Sequence, residues 1–400
     1  MMGLARQIWR GLLPEPLRRL AQPLANRMLE AHVRRQARRP HQADRLDGPI
    51  RVVGYLSGSH GIAASARLAI RAFESLGIDV EAIDVAEARL AWAGRDHSPL
   101  APGPWIFHLN APELLAALAY LGPDRVQGPR YGYWAWELPR APDAWLKDAT
   151  LIDEVWAPSS YTAQALDGAS APLRVVPHPL FMEDYAGTIP AHREPGFLAV
   201  SLFDFRSSMA RKNPEGTIAA FNLAFGSDSS ARLIIKTQNG EHAPEALSRL
   251  RNLAGDNVEI VDEVWPYDRV KALIASADVL VSLHRAEGFG LTLAEAMALG
   301  TAVIATEGSG NQDFMDNDCA RLIPASQIPV EDPQGIYQGQ TWADPEITVA
   351  ADALRSLRDD PDLGPRLAIA ARNRVAAQLS PEAWFRTLPQ GLQQAARQRA

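Results

Sequence analysis

Between Val281 and Gly300 the chain reads VSLHRAEGFGLTLAEAMALG, in which the apolar strand DVLVSL (278–283) breaks into a glycine turn and continues as a helix. Gly288 and Gly290 carry no Cβ, so the turn can take left-handed backbone angles and let a ligand approach the main chain. The helix that follows begins with unpaired N–H groups, which with the positive end of its dipole favour an anion by roughly 0.3–1 kcal/mol at an exposed site. Glu287 precedes the turn and Glu295 lies in the helix, with seven residues between them. Carboxylates beside an anion site repel a bare phosphate, so the pairing suits a ligand that also carries hydroxyls for them to accept from, as a sugar nucleotide does. The alternative is a solvated helix carboxylate behind a plain strand-to-helix turn.

The whole string resembles the E-x7-E signature, EGFGLxLxEAMAxG, of retaining glycosyltransferases of family 4 with the GT-B fold. That resemblance implies an α/β protein of two facing Rossmann-like domains with parallel sheets and a C-terminal helix crossing back. It implies that Glu287 faces the hydroxyls of the transferred sugar, that Gly288, Phe289, Gly290 and Leu291 border sugar and phosphate, and that Glu295 holds the ribose.

Four hundred residues at 47% hydrophobic suffice for two domains with their own cores. The single cysteine, Cys319, fits a reducing compartment, and the absence of a long apolar run argues against export or membrane spanning. A net charge of −7 argues against nucleic acid as a partner. Residues 1–47 differ: ten arginines, no lysine and four acids are mixed with Trp9 and several leucines. Such an arm predicts contact with an anionic membrane, making the protein cytoplasmic and peripheral on the inner leaflet, with a merely solvated extension as the alternative.

The next region, 48–180, alternates strands and helices. IRVVGYL (50–56), a glycine loop with Gly58 and Gly61, the helix ARLAIRAFESLG and the strand DVEAIDV (79–85) form a β-loop-α-β unit. Its loop would lie at the carboxyl end of a strand, where open α/β sheets bind ligands. The resemblance implies that this loop faces the phosphates of the sugar nucleotide or the acceptor, which makes Gly58 and Gly61 candidates, whereas Arg67 reads as structural. Further strands at 105–110, 130–136, 153–159 and 173–177 complete a parallel sheet. His108 and Asn110 end the first of them; the resemblance gives one of the two a contact with the sugar, and a hydrogen-bonded core histidine is the alternative. In YGYWAWELPRAPDAW (131–145), Glu137 ends an apolar strand, where it should face a cleft or meet Arg140; with Trp136 it is the acceptor-side candidate. The phrases YWxWEL, DEVWAPS, SGN-x-DFM and WADPE resemble a subset of family 4 that builds bacterial polysaccharides.

A proline-containing linker, 181–195, leads to a second alternating region, 196–378, and a final crossing helix, 379–400. Arg206 and Lys212 follow a strand and precede Pro214, a first-turn residue. In a chain with 36 arginines and 4 lysines, Lys212 and Lys236 are conspicuous. The resemblance makes Arg206 and Lys212 a diphosphate clamp, with Lys236 a weaker candidate. The expected activity is retaining transfer of a sugar from a nucleoside diphosphate sugar to a hydroxyl of a glycan or lipid-linked acceptor, in surface polysaccharide or lipopolysaccharide biosynthesis. No cofactor or essential metal is expected, because the D-x-D string Asp316–Asp318 does not end a strand. A GT-B epimerase and a non-catalytic sugar-nucleotide scaffold are the competing readings.

Overall fold

The computed structural model describes residues 27–28, 30–58, 61–86, 100–333, 335, 337 and 339–398. Of the arm 1–47 for which membrane contact is expected, residues 1–26 and 29 lie outside the described residues.

Six strands form the first sheet: β1 Ile50–Gly54, β2 Val80–Asp84, β3 Trp105–His108, β4 Arg130–Tyr133, β5 Glu154–Ala157 and β6 Leu173–Val175. They run parallel in the order β2-β1-β3-β4-β5-β6. The central ones are buried along their whole length, as apolar runs such as Ile50–Gly54 and Trp105–His108 require when helices cover both faces. The order reverses between β1 and β3, so Gly54 and His108 end their strands at a topological switch point.

The second sheet holds β7 Phe197–Leu202, β8 Ala231–Thr237, β9 Val258–Asp262, β10 Val279–Ser282, β11 Ala302–Thr306 and β12 Arg321–Ile323. Its order, β12-β11-β10-β7-β8-β9, is also parallel, and its switch point lies between β7 and β10. The loops leaving those two strands carry residues 203–212 and 283–290. Two strands that the periodicity does not reveal, β13 Ala325–Pro329 and β14 Thr341–Pro345, pair antiparallel outside both sheets.

The chain does not end in one helix. Ile347–Asp359 and Leu363–Gln378 lie on the second sheet's side, and Pro381–Thr387 and Gln390–Arg397 follow, parted at Leu388–Pro389 because the residue before a proline is pushed out of helical angles. This broken element crosses back to the first sheet. Trp384 meets the edge of Phe73 at 4.9 Å, and Phe385, Leu388, Leu392 and Ala396 join Ile50, Val52 and Phe73 in one buried cluster. Ahead of the first sheet, residues 30–37 are helical and dock through buried Val33 and Ala37; Arg34 donates to Asp148 at 2.9 and 3.1 Å. Among the described residues no helix is long and apolar enough to cross a membrane.

Candidate functional site

The turn after β10 is shaped by two different uses of glycine. Gly290 caps the helix Leu291–Leu299 in the left-handed conformation, φ +97°. Gly288 does not take such an angle; it is crowded by distant segments of the chain. A Cβ there would sit 3.1 Å from the Trp136 carbonyl, and a Cβ on Gly310 would fall 2.2 Å from the Gly288 oxygen. Ser159 Oγ donates to that oxygen at 2.6 Å and Thr162 Oγ1 approaches it at 3.2 Å, so the first sheet's side holds the turn directly.

Arg211 and Lys212 reach the turn from a one-turn helix, Met209–Lys212. Ser208 caps its start, and Asn213, at φ +51°, ends it, caps the next helix by accepting from Gly216 N, and donates to Leu283 O at 2.9 Å. The cationic helix is thereby fixed to the end of β10. Lys212 Nζ is in contact with Glu287 Oε2, and Arg211 Nη1 lies 3.3 Å from the same oxygen while also donating to Ala286 O at 2.8 Å. Burial pushes the Glu287 carboxyl up, but Lys212 and Arg211 outweigh it and hold the group at about 2. Burial also lowers Lys212, against the pull of Glu287. His284, buried below the turn and held at about 4 chiefly by that burial, contacts Ser282, Asn311 and Ser309 at 3.0–3.2 Å. It is neutral near pH 7 and orients the turn without charging it.

Glu295 has a different surrounding. Its Oε1 accepts from Tyr267 Oη at 2.6 Å, and Tyr267 Oη lies 3.3 Å from Tyr185 Oη. Burial raises the Glu295 carboxyl to about 7 against that hydrogen bond and the more distant Lys271.

From the first sheet, His108 is buried and stacked on Tyr133 at 4.5 Å, with Ser65 Oγ at 3.0 Å from Nδ1 and, among the described residues, no hydrogen-bond partner on Nε2. Burial lowers its imidazole to about 3. Tyr133 Oη in turn meets His178 Nδ1 at 3.2 Å, and His178 stands edge-on to Phe289 at 4.7 Å. Asn110 Oδ1 accepts from Ala135 N at 2.9 Å and so braces the loop that carries Trp136 and Glu137. Gly61 opens the helix Gly61–Ser75 with free space where a Cβ would be, and Arg67 binds the loop carbonyls of Leu56 and Gly58.

Several sequence expectations change. Arg206 is half-exposed, and its Nη2 donates to Asp204 Oδ2 at 3.3 Å. Lys236 does not follow a strand but lies within β8, buried, donating to Thr237 O at 2.6 Å and placed over the Trp265 ring at 4.9 Å, so its charge is spent locally. Glu137 does not meet Arg140; its Oε2 accepts from Tyr337 at 3.1 Å, while Arg140 stays exposed near Asp143. Leu291 is the first residue of its helix. Sequence reasoning missed Arg211, His178, Tyr267 and Tyr337. Of these only Arg211 carried a signal, its position next to Lys212. Among the described residues no group of three or more His, Cys, Asp or Glu is placed to hold a metal ion.

Two parallel six-stranded α/β sheets and a C-terminal element returning to the first sheet define the GT-B glycosyltransferase fold. Residues 206–328, from the Arg206 loop through the glycine turn, match the family model described as glycosyl transferases group 1. Among solved structures, the chain is similar to a mutant of S. aureus TarM in complex with fondaparinux, alpha-GlcNAc-glycerol and UDP, at 14% identity and TM-score 0.52, covering 71% of this chain and 54% of TarM. It is similar to HepE from Anabaena in complex with UDP and glucose at 13% identity and TM-score 0.60, covering 88% of this chain and 99% of HepE. A glycosyltransferase from Rickettsia africae gives 13% identity and TM-score 0.60, covering 84% and 95% of the two chains. The chain thus spans about half the length of TarM and nearly all of HepE. No curated protein matches the sequence.

Proposed function

We propose that the protein is a retaining glycosyltransferase that moves a sugar from a nucleoside diphosphate sugar to a hydroxyl of a glycan or lipid-linked acceptor, in the building of a cell-surface polysaccharide. The observation that carries this reading is the contact of Lys212 and Arg211 with an ionised Glu287 at the start of the helix Leu291–Leu299. Lys212 has three protons to give and spends one on Glu287; the others, with the turn's amides, suit the oxygens of a diphosphate. Glu287, ionised at neutral pH, accepts from the hydroxyls of the transferred sugar. As the anomeric carbon becomes cationic the β-phosphate gains negative charge, and preorganised cations and amides stabilise that charge more than the ground state. The bond between the anomeric carbon and the diphosphate oxygen breaks as the acceptor oxygen bonds to that carbon on the same face, and the acceptor's proton passes to the leaving diphosphate. No metal is assigned a part. The Glu295 carboxylate fits ribose hydroxyls, and the solved relatives that hold UDP support a uridine nucleotide.

Thermal-shift measurement against UDP, GDP, ADP and their sugars tests this, since a ligand that prefers the folded state raises the midpoint. NMR of the product's anomeric proton then decides retention. No shift with any nucleotide, or an inverted product, removes the corresponding part of the proposal.

A further inference from the structure

The antiparallel pair β13–β14 is joined by residues 330–340, closed at its base by Val330 N donating to Gln340 O at 2.9 Å. It is anchored on the side of the ion cluster: Ser208 Oγ donates to Asp332 Oδ1 at 3.0 Å, and Ala343 N donates to Arg285 O at 2.9 Å. Its far end crosses to the other domain. Tyr337 Oη donates to Glu137 Oε2, and its ring stands edge-on to Trp136 at 5.9 Å. The Gln340 side-chain amide exchanges two hydrogen bonds with the Arg140 backbone, both 2.9 Å. Leu138, Ala286, Tyr337 and Trp342 pack into one buried cluster, with Trp136 and Ala210 against it. The hairpin therefore touches the residues flanking Glu287 and Lys212 on one side and Glu137 on the other.

Glu137 forms no ion pair among the described residues, and the single hydrogen bond it accepts leaves Oε1 without a partner. A half-buried carboxylate held by one phenol retains unmet acceptor capacity, which a ligand hydroxyl fills. We propose that the hairpin is the acceptor-selecting element of the enzyme. Tyr337 is a positioning residue that fixes Glu137 Oε2 so that Oε1 accepts from a hydroxyl of the incoming carbohydrate, with Trp136 offering its ring beside it. This rests on the sugar-transfer reading.

The test uses the full chain, the nucleotide sugar that raises its thermal midpoint, and a panel of alkyl monosaccharide glycosides as acceptors, with hydrolysis of the nucleotide sugar followed separately. Tyr337→Phe keeps the ring that packs on Trp136 and removes the hydroxyl. It should raise acceptor KM about tenfold while the nucleotide-sugar KM stays within about twofold, the expected size of one lost hydrogen bond to a charged group. Glu137→Gln should act likewise, and the double variant should be no worse than the more impaired single one, because both remove one arrangement. Additive losses, or equal falls in hydrolysis and transfer with acceptor KM unmoved, overturn the proposal alone. Absence of any nucleotide-induced shift in the unmodified protein overturns the sugar-transfer reading, and this proposal with it.

Discussion

Glu287 and Glu295 belong to one short motif, yet their surroundings drive them apart. Around Glu287, burial is overcome by two cations in contact and the carboxyl falls to about 2. Around Glu295, burial meets only a tyrosine hydroxyl and a more distant lysine, and the carboxyl rises to about 7. The first is a fixed anion; the second changes protonation near neutrality. Identical side chains one helix start apart thus serve different ends: a permanent acceptor inside an ion cluster, and a group whose acceptor strength follows pH.

Breaking the first surrounding should have the largest effect. Lys212→Ala should lower kcat/KM by at least about 100-fold, since losing one charged group aimed at the leaving phosphate costs about 2.7–4 kcal/mol. Steady-state kinetics at saturating acceptor measure this, and unchanged values would remove Lys212 from the site. A smaller effect is expected at the second surrounding. Nucleoside diphosphate affinity, by calorimetry, should strengthen as Glu295 ionises on raising pH through about 7, because in the proposed role the carboxylate would accept from ribose hydroxyls and the acid would do so less well. Glu295→Gln should flatten that dependence and raise the nucleotide-sugar KM with kcat nearly unchanged; a fall in kcat alone would place Glu295 nearer the chemistry.

Tyr267→Phe sharpens the contrast further. Without the phenol, which favours the ionised form, the Glu295 carboxyl should rise higher still, and the pH midpoint of binding should move up. The smallest effect concerns stability. Glu295 binds its proton more tightly in the native state than in the unfolded chain, so its contribution is full below the ordinary carboxylate range and is lost as pH rises through about 7. Glu287 has the opposite sign, its contribution being lost as pH falls through about 2. Melting curves of Glu295→Gln against the unmodified protein should therefore diverge between pH about 5 and about 8, the variant gaining relative stability toward the alkaline side. Parallel curves would contradict the raised value.

The strands of both sheets could be read because parallel sheets make continuous apolar runs, as in Trp105–His108 and Phe197–Leu202. The glycine turn was legible for the same local reason: strand, glycines and helix follow in one stretch. What could not be read depends on distance in the chain. Tyr337 meets Glu137 across 200 residues, and neither position has any periodicity that names the other. β13 and β14 each end in a proline and are joined by a segment without a tight-turn dipeptide, so no hairpin pattern marks them. Lys236 was read from residue type and loop position, but β8 contains it and buries it. The break at Leu388–Pro389 was visible in the sequence, since a residue before proline rarely stays helical.

The oxygen of Gly288 is a place where the two halves of the molecule share one atom. Ser159 and Thr162, from the first sheet's side, crowd a carbonyl that belongs to the glycine turn after β10, and Asp313 takes the amide of Ser160 at 2.7 Å nearby. Parting the halves exposes all these groups to solvent together and re-forms them together. A jaw fastened at such a rivet is expected to let go of these bonds as a set, so that weakening the rivet changes how often the halves part.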